Sequence, residues 1–324
     1  MKPLSLVIPL YNEKGSLAEL YREVVRELGS LGSDLEIVFV DDGSNDGSLE
    51  TLQAIQASDR RVKIIRLRRN FGKSAALSAG FRLAKGEVIV TLDADLQDLP
   101  GEIHKLLDRL ERGCDLVSGW KHRRKDSWSK LLASKIFNRM TSLLTGVPLH
   151  DINCGLKAYR RSVIEEIKVY GEMHRYIPVL ASYRGFRVDE VPVAHAPRKF
   201  GKSKYGAGRI LGGFFDLLTV IMLTRYNSKP LHIFGILGMT LFGAGMLVEG
   251  YLTVGWVFGR WIEDRPAFML GILLVIIGVQ FIFFGLLAEM IAYSSRREDH
   301  FSVEDVRVLE SDTERATALA SLRS

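Results

Sequence analysis

Two apolar runs, about Ile233 to Phe258 and about Ala267 to Tyr293, constrain what this chain can fold into more than any other feature. Each exceeds the roughly 20 residues that a helix needs to cross a hydrocarbon core, so both are expected to be transmembrane helices. The connector, Gly259 to Pro266, balances Arg260 and Arg265 against Glu263 and Asp264. By contrast, Arg225 and Lys229 precede the first run, and Arg296 and Arg297 follow the second. That bias places both termini in the cytoplasm, with the protein integral to the cell membrane. Gly238 and Gly245 fall seven apart, as do Gly271, Gly278 and Gly285, so each helix can present a small-residue stripe for close packing. Glycine is also common in membrane spans for no packing reason. Upstream, Ile210 to Leu223 carries apolar residues around a single Asp216 between Arg209 and Arg225. Too short to span, it suits the membrane interface, with Phe214, Phe215, Leu218 and Ile221 entering it; a buried core helix is the alternative.

The division expected is a catalytic domain over 1–205, a juxtamembrane amphipathic segment over 206–230, two transmembrane helices over 231–295 and a short charged tail over 296–324. In the first part, Leu4 to Leu10, Leu35 to Asp41, Val62 to Leu67, Val88 to Leu92 and Asp115 to Ser118 read as buried strands. Helix-length segments such as Leu17 to Leu31 and Lys73 to Ala84 separate them, which is the pattern of an α/β domain with a mostly parallel sheet. Ligands of such sheets bind at the carboxyl ends of the strands. A net charge of +6 suits nucleic acid or anionic phosphates and lipids, and the apolar runs favour the second, with no nucleic-acid partner. Cys114 and Cys154 form no C-x-x-C pair, so neither a disulfide framework nor a zinc site is expected, and both read as free thiols. The stretch Leu4 to Pro9 is too short for a secretory signal, which keeps the N-terminal domain in the cytoplasm.

The polar motifs fall at the strand ends. Asp93-Ala94-Asp95-Leu96-Gln97 closes an apolar strand with two carboxylates and an amide oxygen, hard ligands suited to magnesium or manganese. Solvated loop acids have the same pattern, so context decides. Pro9-Leu10-Tyr11-Asn12-Glu13 and Asp41-Asp42-Gly43-Ser44-Asn45-Asp46-Gly47 end the first two strands with turns and acceptors that could hold a base and ribose; the second is equally a tight turn with a helix cap. Arg68 to Lys73 follows the third strand, and a helix from Ser74 would present its amino end to anions.

In this order, those motifs closely resemble the family 2 inverting glycosyltransferases, which have the Rossmann-like GT-A fold. Asp151-Ile152-Asn153-Cys154-Gly155-Leu156-Lys157 and Arg198-Lys199-Phe200-Gly201-Lys202-Ser203-Lys204-Tyr205 look like the polyprenyl-phosphate branch of dolichyl-phosphate mannose synthases and bacterial undecaprenyl-phosphate glucosyltransferases. The resemblance implies nucleotide-sugar binding at Pro9, Tyr11, Glu13, Asp42, Ser44 and Lys73, and metal and diphosphate binding at Asp93, Asp95 and Gln97. It implies phosphate binding at Lys121, Arg198, Lys202 and Lys204, and catalytic roles for Asp95, Asp151 and Arg123. Lys121 stands where relatives often have arginine, which keeps the charge and loses the bidentate fork. The basic run from Arg198 can offset the charge of a diphosphate and a lipid phosphate meeting at one carbon, or simply bind anionic headgroups. Asp151 orients the acceptor, balances charge or anchors the turn at Gly155.

The activity implied is inverting transfer of a hexose, glucose from UDP-glucose, to undecaprenyl phosphate with a divalent metal (Mg2+ or Mn2+). Membrane lipids are further partners, and a homo-oligomer, a tetramer, is the assembly expected. A mannosyltransferase using GDP-mannose and a silent membrane-anchored nucleotide-sugar binding protein are the alternatives. A processive polysaccharide synthase is disfavoured by the lack of a Q-x-x-R-W string, and a nucleotidyltransferase by the lack of a glycine-rich phosphate loop near the first strand.

Overall fold

The strands at the centre of the N-terminal sheet are buried on both faces, so their sequences run apolar without alternation. β1 (Leu4–Leu10) is buried throughout and pairs in parallel with β2 (Leu35–Asp41) on one side and β4 (Val88–Thr91) on the other. The computed structural model describes residues 3–122, 128–167, 169–197, 199, 216–222, 224, 230–259 and 266–295. Its contacts divide the chain into two units, Met1–Val220 and Ile221–Ser324.

In the first unit, β3 (Val62–Arg66), β5 (Leu116–Lys121), β6 (Lys157–Arg160) and β7 (Val188–Val193) complete a seven-stranded sheet of order β3-β2-β1-β4-β6-β5-β7. Only β6 runs antiparallel to its neighbours, β4 and β5. The expected mostly parallel α/β sheet is present. β1 and β2 have the expected bounds, β3 and β4 each stop one residue sooner, and β5 runs on to Lys121. Neither β6 nor β7 stands out in the sequence: β6 is four residues long, and β7 is a half-buried edge strand with Asp189, Glu190 and Pro192 in its run.

Helices α1 (Lys14–Leu28), α2 (Ser48–Ser58), α3 (Lys73–Leu83) and α4 (Ile103–Glu111) follow the first four strands. α1 buries Leu17, Leu20, Val24 and Leu28, a single stripe at helical spacing. α3 lies close against the sheet, where a Cβ on Gly80 would sit 2.4 Å from Val7 Cγ1 and 3.1 Å from Val40 Cγ2. That contact fixes the amino end of α3 over the strand ends. Helices α5 (Trp128–Thr145), α6 (Arg161–Glu166) and α7 (Ile177–Tyr183) lie between the later strands in sequence. Residues 216–222 are helical, with Leu217 and Val220 buried and Leu218 48% exposed. Phe214 and Phe215 lie outside the described residues.

The second unit holds α8 (Pro230–Val257) and α9 (Pro266–Ser295), both long and apolar enough to cross a membrane. They meet along their glycines: a Cβ on Gly238 would lie 2.7 Å from the Gly278 carbonyl oxygen, and one on Gly245 2.8 Å from that of Gly271. Side chains there would force the backbones apart. The outer faces carry exposed Leu247, Phe258, Met269 and Phe283, a surface that needs lipid rather than water around it. The pair therefore makes this a membrane-associated protein.

Candidate active site

The loops after β1 and β2 are zipped together by short polar side chains. Asn12 N–H donates to Ser44 Oγ at 2.9 Å, and Asn45 N–H donates to Asn12 Oδ1 at 2.9 Å. Glu13 N–H donates to Ser48 Oγ at 3.1 Å, and Lys14 N–H to Asp46 Oδ2 at 3.0 Å. Asn12 holds φ 57, a left-handed conformation that asparagine tolerates better than most residues. Within the second loop, Asp41 Oδ1 accepts from Ser44 N–H at 2.8 Å. Asp42 reaches the next loop, accepting from Phe71 N–H at 2.8 Å and Gly72 N–H at 2.9 Å. Gly43 is required there by two constraints at once: its φ is +74, and a Cβ would lie 2.6 Å from the Arg69 carbonyl carbon. Asp42 and Ser44, both expected at the nucleotide, build the loops at the ends of β1 and β2. Pro9 is buried in β1, while Tyr11 and Glu13 stand half-buried at its end.

The loop after β4 is held by charge. Lys73, the first residue of α3, places Nζ 2.5 Å from Asp93 Oδ1. Burial opposes the Asp93 charge, but Lys73, Lys121 and Lys157 outweigh it and hold the carboxyl down at about 2. The other Asp93 oxygen rests against Gly155, where a Cβ would sit 2.4 Å from Oδ2. Glycine in the Asn153-Cys154-Gly155 turn therefore makes room for the carboxylate, and Thr91 Oγ1 fixes that turn by donating to the Gly155 carbonyl at 2.8 Å. Buried Leu96 has φ 60, an uncommon backbone for a bulky residue that costs about 1–3 kcal/mol and sets the directions of Asp95 and Gln97 on either side. Asp95 Oδ1 accepts from Gln97 N–H at 3.2 Å.

Lys121, expected at phosphate, pairs with buried Asp98 at 2.6 Å, and Asp98 and its other neighbours raise its pKa against the opposing effect of burial. Gln97, expected on the metal, turns partly toward His195: its carbonyl accepts from Nδ1 at 3.1 Å, and its side-chain amide lies 3.5 Å from Nε2. Asp151 is buried close enough to Lys157 and Cys154 to influence both. Burial pushes the Cys154 thiol up to about 12, so it packs as a neutral group; both cysteines are free thiols. Arg123, Arg198, Lys202 and Lys204 lie outside the described residues.

Sequence reasoning missed Lys157, Asp98, His174 and His195. Lys157 is buried, donates to the Cys154 carbonyl and has its pKa lowered by burial and by Lys73. A lysine inside an otherwise apolar strand, Lys157-Ala158-Tyr159, was the available signal.

Among the described residues no cluster of three or more His, Cys, Asp or Glu is arranged to hold a metal. Asp93 and Asp95 offer instead what magnesium or manganese takes in phosphate chemistry, one or two carboxylates with the remaining oxygens supplied by substrate and water. Ionised Asp93, cradled by a residue without a side chain, fits that use.

A mostly parallel sheet with acidic loops at its strand ends, a D-x-D after β4 and one antiparallel strand beside it define a GT-A glycosyltransferase. Residues 5–168 match the pattern described as Glycosyl transferase family 2, and the chain belongs to that family. A dodecaprenyl-phosphate galacturonate synthase of Rhizobium johnstonii is 40% identical over 302 residues, covering 91% of this chain and 89% of its own. Among solved structures, the glucosyl-3-phosphoglycerate synthase of Mycobacterium tuberculosis with Mn2+, UDP and phosphoglyceric acid superposes with a TM-score of 0.53 at 16% identity, over 69% of this chain and 78% of that one. The same enzyme with Mn2+, UDP-glucose and phosphoglyceric acid gives 0.51 at 17% identity, over 69% and 79%. Those two likenesses establish the fold.

Proposed function

We propose that this protein transfers a hexuronosyl group from a nucleoside diphosphate sugar to a polyprenyl phosphate, with inversion at the anomeric carbon. The observation that carries the reading is the 40% identity to a dodecaprenyl-phosphate galacturonate synthase, which extends over 91% of the chain and so takes in catalytic domain and apolar helices alike. Glucose, the sugar implied by the sequence resemblance, is the competing donor. The acidic sugar is supported by the charge around Asp93, where Lys73, Lys121 and Lys157 all act on one carboxylate. A donor that adds a sugar carboxylate to a diphosphate brings one more negative charge for such cations to offset.

In this reading the loops after β1 and β2 hold base and ribose, with Tyr11 and Glu13 at the cleft and Asp42 and Ser44 fixing its wall. Lys73, at the amino end of α3, exchanges Asp93 for a donor phosphate oxygen. Asp93 and Asp95 would hold the divalent ion, which when bound neutralises the leaving diphosphate. The lipid phosphate, with a second pKa of about 6, is largely deprotonated at neutral pH and attacks without a strong base. Asp151 orients it, Arg198, Lys202 and Lys204 balance its charge, and α8 and α9 keep the enzyme in the bilayer that stores it, with the catalytic domain on the cytoplasmic side.

The test is a competition in which purified enzyme and undecaprenyl phosphate receive equimolar UDP-galacturonate, UDP-glucose and GDP-mannose, with lipid products resolved by mass. The expected product is the hexuronosyl lipid. A neutral hexosyl lipid in equal or greater yield would overturn the choice of sugar.

A further inference from the structure

His174 lies on the turn Met173–Arg175 between β6 and α7 and takes no part in the steps above. Its ring reaches the first turn of α3, with Nδ1 2.9 Å from Ser74 Oγ, and its own backbone N–H donates to the same oxygen at 3.1 Å. Ser74 is buried, and its hydroxyl has no other partner among the described residues. The oxygen could accept twice, but its proton meets no other described acceptor; donated to Nδ1, it leaves the neutral ring's own proton on Nε2. Nε2 hydrogen-bonds to no described residue.

The ring is also kept neutral. Burial, then Lys73, Arg175 and Lys157, push its pKa down to about 2, with Asp93 acting weakly in the other direction. Burial is the largest of these causes and Arg175 belongs to the same turn, while Lys73, Lys157 and Asp93 bring the transfer site to the ring; Ser74, which the ring contacts, directly follows Lys73. A neutral donor there adds direction to ligand binding without adding a further cation to a place where three lysines already act on Asp93.

We propose that His174 is a substrate-binding residue whose Nε2–H donates to an anionic oxygen held at the Lys73–Asp93 pair. The oxygen belongs to a phosphate or to the sugar carboxylate, and the assignment rests on reading that pair as the transfer site. Ser74 is then the positioning residue that selects the ring's tautomer.

The test uses the full chain with three substitutions. His174→Asn keeps a polar group where Nδ1 meets Ser74 and removes the outward donor; His174→Gln restores an amide near the place of Nε2; Ser74→Ala frees the ring. His174→Asn is expected to lose about 10- to 100-fold in kcat/KM with an unchanged melting temperature, as fits loss of a hydrogen bond to a charged oxygen. His174→Gln should recover to within about 5-fold of wild type, and Ser74→Ala should fall between them. A rise confined to the KM for the lipid assigns the acceptor phosphate. Weaker calorimetric binding of UDP alone assigns the donor diphosphate, and weaker binding of UDP-galacturonate with UDP binding unchanged assigns the carboxylate. Wild-type kcat/KM in His174→Asn, or equal losses in the Asn and Gln variants with a lowered melting temperature, would overturn the proposal. Binding of UDP needs no turnover, so a wild-type enzyme inactive on every donor would count against the proposed function while binding to wild type and His174→Asn still decides the role of His174.

Discussion

The loops after β1 and β2 are held by backbone N–H groups that donate to side-chain oxygens of Asn12, Asp42, Ser44, Asp46 and Ser48, whereas the loop after β4 is held by lysines gathered on Asp93. Each bond in the first region pairs a backbone donor within the protein, so those loops hold their shape without a ligand. In the second region Lys73 and Asp93 neutralise each other, and in the proposed reaction both would be released when a phosphate and a cation arrive together. A substitution in the first wall should therefore be read in stability, and one in the second in turnover.

The largest effect expected is on the charged side. Asp95→Asn, or an excess of chelator, should lower kcat by more than about 100-fold while the melting temperature stays near that of the wild type. Full activity under either condition would remove the metal from the account. Next come two glycines that test the contrast directly. Gly155→Ala drives a methyl to 2.4 Å from Asp93 Oδ2, and Gly43→Ala drives one to 2.6 Å from the Arg69 backbone at φ +74. Gly155→Ala should reduce kcat about 10-fold or more with a modest change in Tm, because a side chain can yield. Gly43→Ala should lower Tm by several degrees, as fits roughly 1–2 kcal/mol of strain, because backbone cannot yield so easily. The reverse ranking, measured by thermal melting beside initial rates, would break the comparison. The smallest effect belongs to Ser44→Ala, which removes the acceptor of Asn12 N–H. A loss of about 1 kcal/mol in denaturant unfolding with kcat within about 3-fold is expected; a loss of turnover without loss of stability would instead make the hydroxyl a direct substrate contact.

The same contrast explains what could be read in the chain beforehand. β1 and β2 are continuous apolar runs ended by turn residues, and their bounds follow from that pattern alone. The glycines of α8 and α9 keep a seven-residue spacing that already names the contact face. β7 was not legible, since an edge strand half-covered on its faces tolerates Asp189, Glu190 and Pro192. Asp93, Asp95 and Lys73 were visible because motif and strand end coincide. His174 was not, for it lies in no run that marks chemistry and its partner Ser74 is 100 positions away. Nor does sequence show that Asp42 supports the Phe71-Gly72 backbone; only the meeting of two loops 29 positions apart does.

The reaction proposed for this protein transfers the sugar to the lipid phosphate in a single displacement. Its most direct test is to incubate purified enzyme with undecaprenyl phosphate, an α-linked UDP-hexuronate and Mg2+ or Mn2+, then read the anomeric coupling of the lipid product by NMR. A β-linked polyprenyl-phosphate sugar that forms only with the metal is the predicted result. An α-linked product, or release of free sugar with no lipid-linked species, would contradict it.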